Sequence, residues 1–322
     1  MREDELVAAI RRIPGDGPGV VVGIGDDAAV LEPGSGEQVV TTDLLVQEVH
    51  FGTNVSARDL GMKAVAVNVS DIAAMGASPR WATLGLVIDP TADASWVVEL
   101  VGGVKDACDE YALSLVGGDL SRGRSLTVSM TVGGEVAPGR AVLRSGARPG
   151  DRILVTGELG AAAGGLILEQ RADASLLGSD WARELLRAHL RPVARVAEGL
   201  ALAGGGATAM MDISDGLLLD LSRLCSASGV GARLDVDSVP VAGALLEFAG
   251  AAGVDALELA LSGGEDYELL AAVPPGQAPV LAATFTERFG TGLLDIGEFV
   301  VGEGLCDAGG NALEPRGWDH LA

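Results

Sequence analysis

Apolar and polar positions alternate along this chain so as to divide it into short strands and helices, many ending in an acidic residue beside glycine or a hydroxyl side chain. Residues 20–23 and 28–31 are short apolar segments on either side of Gly25-Asp26-Asp27, and residues 38–42 read as a strand running into Asp43. Across residues 57–74, Leu60, Ala64, Val67 and Ile72 recur at helical spacing, which puts Asn68 and Asp71 three apart on one face. A polar pair on an otherwise apolar helix needs a purpose. The pattern predicts a buried strand over 81–88, a helix over 94–111, a strand over 113–116 ending at Gly117-Gly118-Asp119, and another strand over 126–135.

Pro138-Gly139 and Pro149-Gly150-Asp151 bracket an arginine-rich stretch and mark a boundary, giving domains 1–138 and 139–322. Beyond it, 152–156 reads as a strand, the small-residue segment 157–165 opens a helix, and 179–203 is helical. A short strand then precedes Asp212, followed by a helix over 217–229 and strands over 231–236 and 267–273. The sum is two α/β halves with mixed sheets, without heptads, low-complexity tracts or a strict repeat.

Composition narrows the function classes. With 322 residues, 48% of them hydrophobic, the chain can bury a core large enough for two domains. Lys and Arg number 22 against 45 Asp and Glu, a net charge of −23, which argues against a nucleic-acid backbone or an anionic membrane surface as partner. Three widely spaced cysteines, Cys108, Cys225 and Cys306, offer neither a disulfide framework nor a CxxC site and suit a reducing cytoplasm. The charged segment 1–10 lacks a signal core, and no apolar run reaches the roughly 18 residues of a spanning helix. The expectation is a cytoplasmic protein, neither secreted nor membrane-bound.

The acidic clusters then carry the chemistry. Carboxylates recurring at strand ends repel one another unless cations sit between them, so a divalent-metal site that holds phosphates is the economical reading. Of Asp26 and Asp27 only one can face inward on a strand, and Asp27 is the choice; Asp43, Asp71 and Asp119 complete a first-half set. Oxygen donors suit Mg²⁺, which takes one or two carboxylates per ion, so a dispersed set suggests several ions. With three His and no HExxH or Cys cluster, zinc is disfavoured; no GxxxxGK[ST] is present, and Gly157-Glu158-Leu159-Gly160 has the wrong spacing for a Rossmann fingerprint. Asp212-Ile213-Ser214-Asp215-Gly216 precedes an apolar helix: Ser214 or Asp215 either caps it or joins the helix amides in holding phosphate and metal. Arg144 is a phosphate clamp or a surface ion pair.

Taken together, Gly23-Ile24-Gly25-Asp26-Asp27-Ala28, Thr41-Thr42-Asp43 with His50-Phe51, the run from Lys63 through Asn68-Val69-Ser70-Asp71 to Ala77, Gly117-Gly118-Asp119, Arg144-Ser145-Gly146-Ala147, Asp212-Ile213-Ser214-Asp215-Gly216 and Ser262-Gly263-Gly264-Glu265-Asp266-Tyr267-Glu268-Leu269 resemble the thiamine-monophosphate kinase family, within the superfamily of aminoimidazole ribonucleotide synthetase. Each motif is weak alone; their order over nearly the whole chain is specific. The resemblance implies a two-domain PurM-like fold, the first domain binding ATP and Mg²⁺ and pairing its strands into a dimeric β-barrel in a homodimer, and a C-terminal α/β domain completing the active site. It implies Mg²⁺-dependent transfer of the ATP γ-phosphoryl group to thiamine monophosphate. By position, Asp27, Thr41, Thr42, Asp43, Asp71, Asp119, Asp212 and Asp215 would bind Mg²⁺; Gly118, Asp119, Arg144 and Ser214 would lie at ATP; His50, Glu265 and Trp318 would lie at thiamine monophosphate.

No general base is assigned, because a phosphate acceptor needs none, and His50 is given binding rather than proton transfer. Trp318 would stack on the cationic thiamine ring and Glu265 offset its charge. This sequence departs from the family at Gln47-Glu48, at Leu120-Ser121 and at Trp318, where Tyr is frequent. The competing readings are another ATP-dependent synthetase of the superfamily, or a noncatalytic metal- or nucleotide-binding module.

Overall fold

A computed structural model describes residues 6, 9–10, 12–13, 17–24, 27–89, 93–171 and 176–318. Gly25, Asp26, Asp319 and His320, which belong to motifs quoted above, lie outside the described residues. The chain divides into two compact units, Met1–Ile72 with Ala77–Gly139, and Ala73–Gly76 with Arg140–Ala322.

In the first unit, β1 (Val20–Val22) and β2 (Val30–Leu31) pair antiparallel on either side of the first acidic turn. Then follow β3 (Glu37–Val46), α1 (Ala57–Ala74), β4 (Ser78–Ile88), α2 (Ala94–Glu110), β5 (Ser114–Arg122) and β6 (Thr127–Val136). Their sheet runs β3-β6-β4-β5, with β6 antiparallel to both neighbours and β5 parallel to β4. Helix α1 has the predicted span and is buried nearly all round: Leu60, Val65, Val69 and Ile72 are inaccessible, and so are Lys63, Asn68 and Ser70. Such a helix belongs in a core, and its polar residues must find partners inside it.

One prediction of the pattern fails here. β5 does not stop at Gly117-Gly118-Asp119 but runs through it to Arg122, parallel to β4, after a register shift opposite Ala82/Thr83. Gly118 permits this, since an added Cβ would collide with the Leu84 carbonyl of the neighbouring strand. Gly118 allows close approach, and neither glycine ends the strand.

The second unit is built on a seven-stranded sheet. Its elements are β7 (Arg152–Thr156), α3 (Ala161–Arg171), α4 (Asp180–Leu190), α5 (Val196–Gly204), β8 (Ala209–Asp212), α6 (Leu217–Ser228), β9 (Gly231–Leu234), α7 (Gly243–Ala252), α8 (Ala256–Ser262), β10 (Leu269–Val273), α9 (Ala278–Phe289), β11 (Leu293–Val300), β12 (Leu305–Asp307) and β13 (Ala312–Leu313). Strand order is β13-β12-β9-β11-β7-β10-β8, with β12 parallel to β9 and the other pairs antiparallel. The central strands β7 and β10 are almost wholly buried. One cluster sets Val155, Met211, Leu221 and Phe299 together; another sets Leu154, Met210, Leu269 and Phe285 together.

The predicted helical region 179–203 is two helices. α4 ends at Leu190 with Arg191 as its C-cap and Pro192 beyond, where the helical conformation of the preceding residue is disfavoured. Strand β9 ends at Leu234, two residues earlier than predicted, where the chain turns into the 3₁₀ segment Val236–Ser238. Helices α3 and α4 meet through glycine: an added Cβ on Gly165 would run into the Leu185 carbonyl and lie 2.8 Å from His189 Cβ. Gly165→Ala therefore forces α4 outward and lowers stability by about 2–3 kcal/mol. A thermal melt beside Gly164→Ala, whose Cβ meets only movable leucine methyl groups from 3.0 Å outward, reads the difference.

Candidate functional site

The first unit joins three of the predicted residues through β3 and α1. Thr41 Oγ1 donates to Asp71 Oδ2 at 2.6 Å, and the Asp43 amide donates to Asn68 Oδ1 at 2.9 Å. Asn68 is held for this by its own Nδ2, which donates to the Ala64 carbonyl one turn back at 2.9 Å. That is the purpose of the polar pair on α1: it ties down β3, an edge strand whose outward amides need partners. Strand alternation puts Thr41 and Asp43 on one face and Thr42 on the other. Accordingly Thr42 Oγ1 donates to the Met130 carbonyl and accepts from Thr131 Oγ1, both at 3.0 Å. Its hydroxyl is thus turned away from Thr41 and Asp43.

Asp27 lies in a bend and is exposed, not inward-facing on a strand as expected. Asp119 is also exposed, on β5 opposite Gly85, with Gly118 against the β4 backbone. His50 Nδ1 accepts from the Val46 amide at 3.1 Å, and its carbonyl accepts from the buried Lys63 Nζ at 3.4 Å. An accepting Nδ1 places the proton of the neutral ring on Nε2, which makes that nitrogen a donor and suits binding rather than proton abstraction.

Among the described residues no group of three or more His, Cys, Asp or Glu is arranged to hold a metal ion. Mg²⁺ does not require one, because it keeps waters and takes one or two carboxylates with phosphate oxygens supplying the rest. Asp43, Thr41 and Asp71, all oxygen donors on adjoining faces of β3 and α1, fit that chemistry.

In the second unit two acidic turns are bonded to each other. The Glu265 amide donates to the Ser214 carbonyl at 2.8 Å, the Tyr267 amide to the Ile213 carbonyl at 2.9 Å, and the Trp318 amide to the Asp215 carbonyl at 2.8 Å. Ser214, Asp215, Glu265 and Trp318, far apart in sequence, are brought into one neighbourhood. Asp212 ends β8, buried and in register with Leu269 of β10. Trp318 is 47% exposed. Glu265 is held at φ 68, left-handed backbone that a non-glycine residue adopts at a cost, which fixes its direction.

Neither Ser214 nor Asp215 caps α6. The N-cap is Gly216, without a side-chain bond, and the fully buried Asp220 turns back so that its Oδ2 accepts from the amides of Ser214 at 3.1 Å and Asp215 at 2.9 Å. Arg223 Nη1 spans Asp215 Oδ2 at 2.5 Å and Asp220 Oδ1 at 2.7 Å. Burial raises the Asp220 carboxyl, the Asp215 amide and Arg223 pull it down, and the Asp215 charge adds to the rise. Sequence reasoning missed both residues; a carboxylate and an arginine inside the apolar run Leu217–Ser228 were the available signal. Arg144 is exposed, with its carbonyl accepting from Ser228 Oγ at 3.1 Å, and its guanidinium has no ion-pair partner among the described residues.

Beside Glu265, Asp266 accepts from the Gly160 amide at 2.9 and 3.0 Å, next to the start of α3. Enclosure by protein pushes its carboxyl well above the usual range; the Gly160 amide opposes this and the Glu268 charge adds to it. A carboxyl raised on folding binds its proton more tightly in the native state, so its contribution is lost as pH rises from the unfolded value through the folded one. Asp266→Asn keeps an acceptor for Gly160 and removes that titration. Melting temperature recorded from about pH 4 upward should fall less steeply in the variant than in the wild type.

Comparison with known proteins gives a consistent result. Residues 25–136 match the family model "AIR synthase related protein, N-terminal domain", and residues 148–305 match "AIR synthase related protein, C-terminal domain". The thiamine-monophosphate kinase of Escherichia coli K12 is 40% identical over 310 residues, spanning 94% of this chain and 93% of that protein. The enzyme of that name from Aquifex aeolicus is 36% identical over 299 residues, 92% of each. The crystal structure of thiamine-monophosphate kinase from Stenotrophomonas maltophilia superposes with a TM-score of 0.86 at 40% identity, covering 97% of this chain and 98% of that one. A structure described as AaThiL complexed with AMPPCP and TMP gives 0.80 at 34% identity, covering 99% of each. The hydrogenase maturation protein HypE of E. coli, at 21% identity and a TM-score of 0.80, shares the fold.

Proposed function

Because this chain belongs to the thiamine-monophosphate kinase family, we infer that it transfers the γ-phosphoryl group of ATP to thiamine monophosphate, giving thiamine diphosphate and ADP. The observation that carries this is identity of 36–44% to curated enzymes of that activity over most of the chain, 92–94% in the E. coli and A. aeolicus comparisons.

The acceptor is itself a phosphate, already ionised at neutral pH, so the protein's work is positioning and charge neutralisation rather than proton abstraction. In this reading Asp43, Asp71 and Thr41 hold Mg²⁺ in the first unit, with Asp27, Asp119 and Thr42 further donors. Asp212 and Asp215 do so in the second. Bound Mg²⁺ would offset the charge of the two anionic substrates. Gly118, Asp119, Arg144 and Ser214 bind ATP, the exposed Arg144 serving as a guanidinium clamp. His50, Glu265 and Trp318 bind thiamine monophosphate: a ring donor for phosphate, a carboxylate against the thiazolium charge, and a half-exposed indole to stack on the ring.

Residues 1–138 are assigned ATP, Mg²⁺ and dimer formation, and residues 139–322 the remainder of the site. Homodimer formation is supported by Val40 and Leu44, 58% and 55% exposed on one face of β3. No helix among the described residues is long and apolar enough to cross a membrane, which agrees with a cytoplasmic enzyme. A panel of acceptors offered with ATP and Mg²⁺, including thiamine, thiamine monophosphate and nucleoside monophosphates, tests the reading. Phosphorylation confined to thiamine monophosphate is expected; preference for another acceptor would overturn it.

A further inference from the structure

His189 of α4 is wholly buried, yet both of its ring nitrogens face carboxylates. Nδ1 lies 2.7 Å from Glu265 Oε2 and Nε2 lies 3.1 Å from Glu169 Oε2 of α3. The three residues are separated in sequence by 20 and 76 positions and meet because Gly165 lets the α4 backbone press against α3. A ring nitrogen can donate to a carboxylate oxygen, and here each of the two lies within reach of one. An imidazole held at both nitrogens cannot turn, and its contact with Glu265 is the shorter of the two. Together with the left-handed backbone of Glu265 and its amide bond to Ser214, this gives the carboxylate one direction.

We propose that His189 is a positioning residue for acceptor recognition: Glu169 fixes the imidazole, and the imidazole fixes the Glu265 carboxylate that meets the cationic thiamine ring. The proposal rests on the assignment of Glu265 to thiamine monophosphate. The side chains of Glu169, His189 and Glu265 are not among those assigned to ATP, and only the Glu265 main chain adjoins one of them, through Ser214, so the signature is a rise in KM for thiamine monophosphate.

The two amide replacements of histidine separate positioning from packing. The Asn amide can stand where Nδ1 stands and still reach Glu265; the Gln amide stands where Nε2 stands and reaches Glu169 instead. His189→Gln should raise KM for thiamine monophosphate roughly tenfold or more, the loss of one hydrogen bond to a charged group, with KM for ATP unchanged. His189→Asn should restore most of that loss. Equal KM for thiamine monophosphate in the two variants, or a rise that follows melting temperature instead of side-chain reach, would overturn the proposal. If the His189 variants do not fold, Glu169→Gln, nearly identical in shape, should raise the same KM a few-fold, and an unchanged value counts against it. Glu265→Gln is the control on the premise: if it leaves KM for thiamine monophosphate intact, the assignment of Glu265 fails, whereas a response to Glu265→Gln without one to His189→Gln refutes the positioning role alone.

Discussion

Asp71→Asn should lower kcat by about two to three orders of magnitude, the usual effect of removing one preorganised charge from a phosphoryl-transfer site, and leave the melting temperature close to that of the wild type. The structure separates the two effects. Asp71 makes its bond to Thr41 as an acceptor at 2.6 Å, and an asparagine oxygen can accept the same hydrogen. What the variant loses is negative charge, which is what a cation requires. Asp43→Asn should behave alike, because the bond that fixes this position runs from the Asp43 main-chain amide to Asn68 and does not involve the carboxylate. A further check is metal titration, with both variants needing more Mg²⁺ for half-maximal rate. Wild-type kcat in either would remove that residue from the metal site.

The second large effect is on stability. Arg195→Leu should cost about 3 kcal/mol, because it strands a buried carboxylate. Glu268 is nearly inaccessible at the start of β10 and is met by Arg195 through Nε at 2.9 Å and by a second bond from Nη2. Thr156 Oγ1 donates to the same carboxylate at 2.6 Å while accepting from the Leu269 amide at 2.8 Å, so the network fastens β7 to β10. Burial still holds the Glu268 carboxyl above its ordinary value, with Arg195 and Thr156 opposing it. Without Arg195 the carboxyl rises further, and the loss of stability grows as pH increases from the unfolded value through the folded one. The double variant Arg195→Leu/Glu268→Gln removes the stranded charge and should recover much of the loss. Denaturant melts of the single and double variants at two pH values measure this; equal stability of wild type and Arg195→Leu at the higher pH would contradict it.

What the sequence could reveal was local. The limits of α1 follow from apolar spacing over eighteen residues, and the paired Asn68 and Asp71 announced that something polar lay against that face. The strands ending at Thr156 and Asp212 were legible as bounded apolar runs. β5 was misjudged because Gly117-Gly118 looks like a stop in one dimension, while Gly118 answers to the closeness of a neighbouring backbone. The split of 179–203 has a local sign in Pro192, which a single helix over that span does not accommodate.

The candidate site was legible as a list of residues, not as an arrangement. That Thr42 faces away from Thr41 follows from strand alternation, but the motif's compactness hides it. The Asp220 and Arg223 partners of the Ser214-Asp215 turn needed the helix to be built first. The Glu169-His189-Glu265 cluster joins two helices and a loop, and no spacing rule connects them.

The most direct test of the account is to incubate the purified protein with ATP, Mg²⁺ and thiamine monophosphate, and to quantify ADP and thiamine diphosphate in the same samples. The account predicts equal amounts of the two products, with neither formed when Mg²⁺ is withheld. ADP released without matching thiamine diphosphate would contradict it.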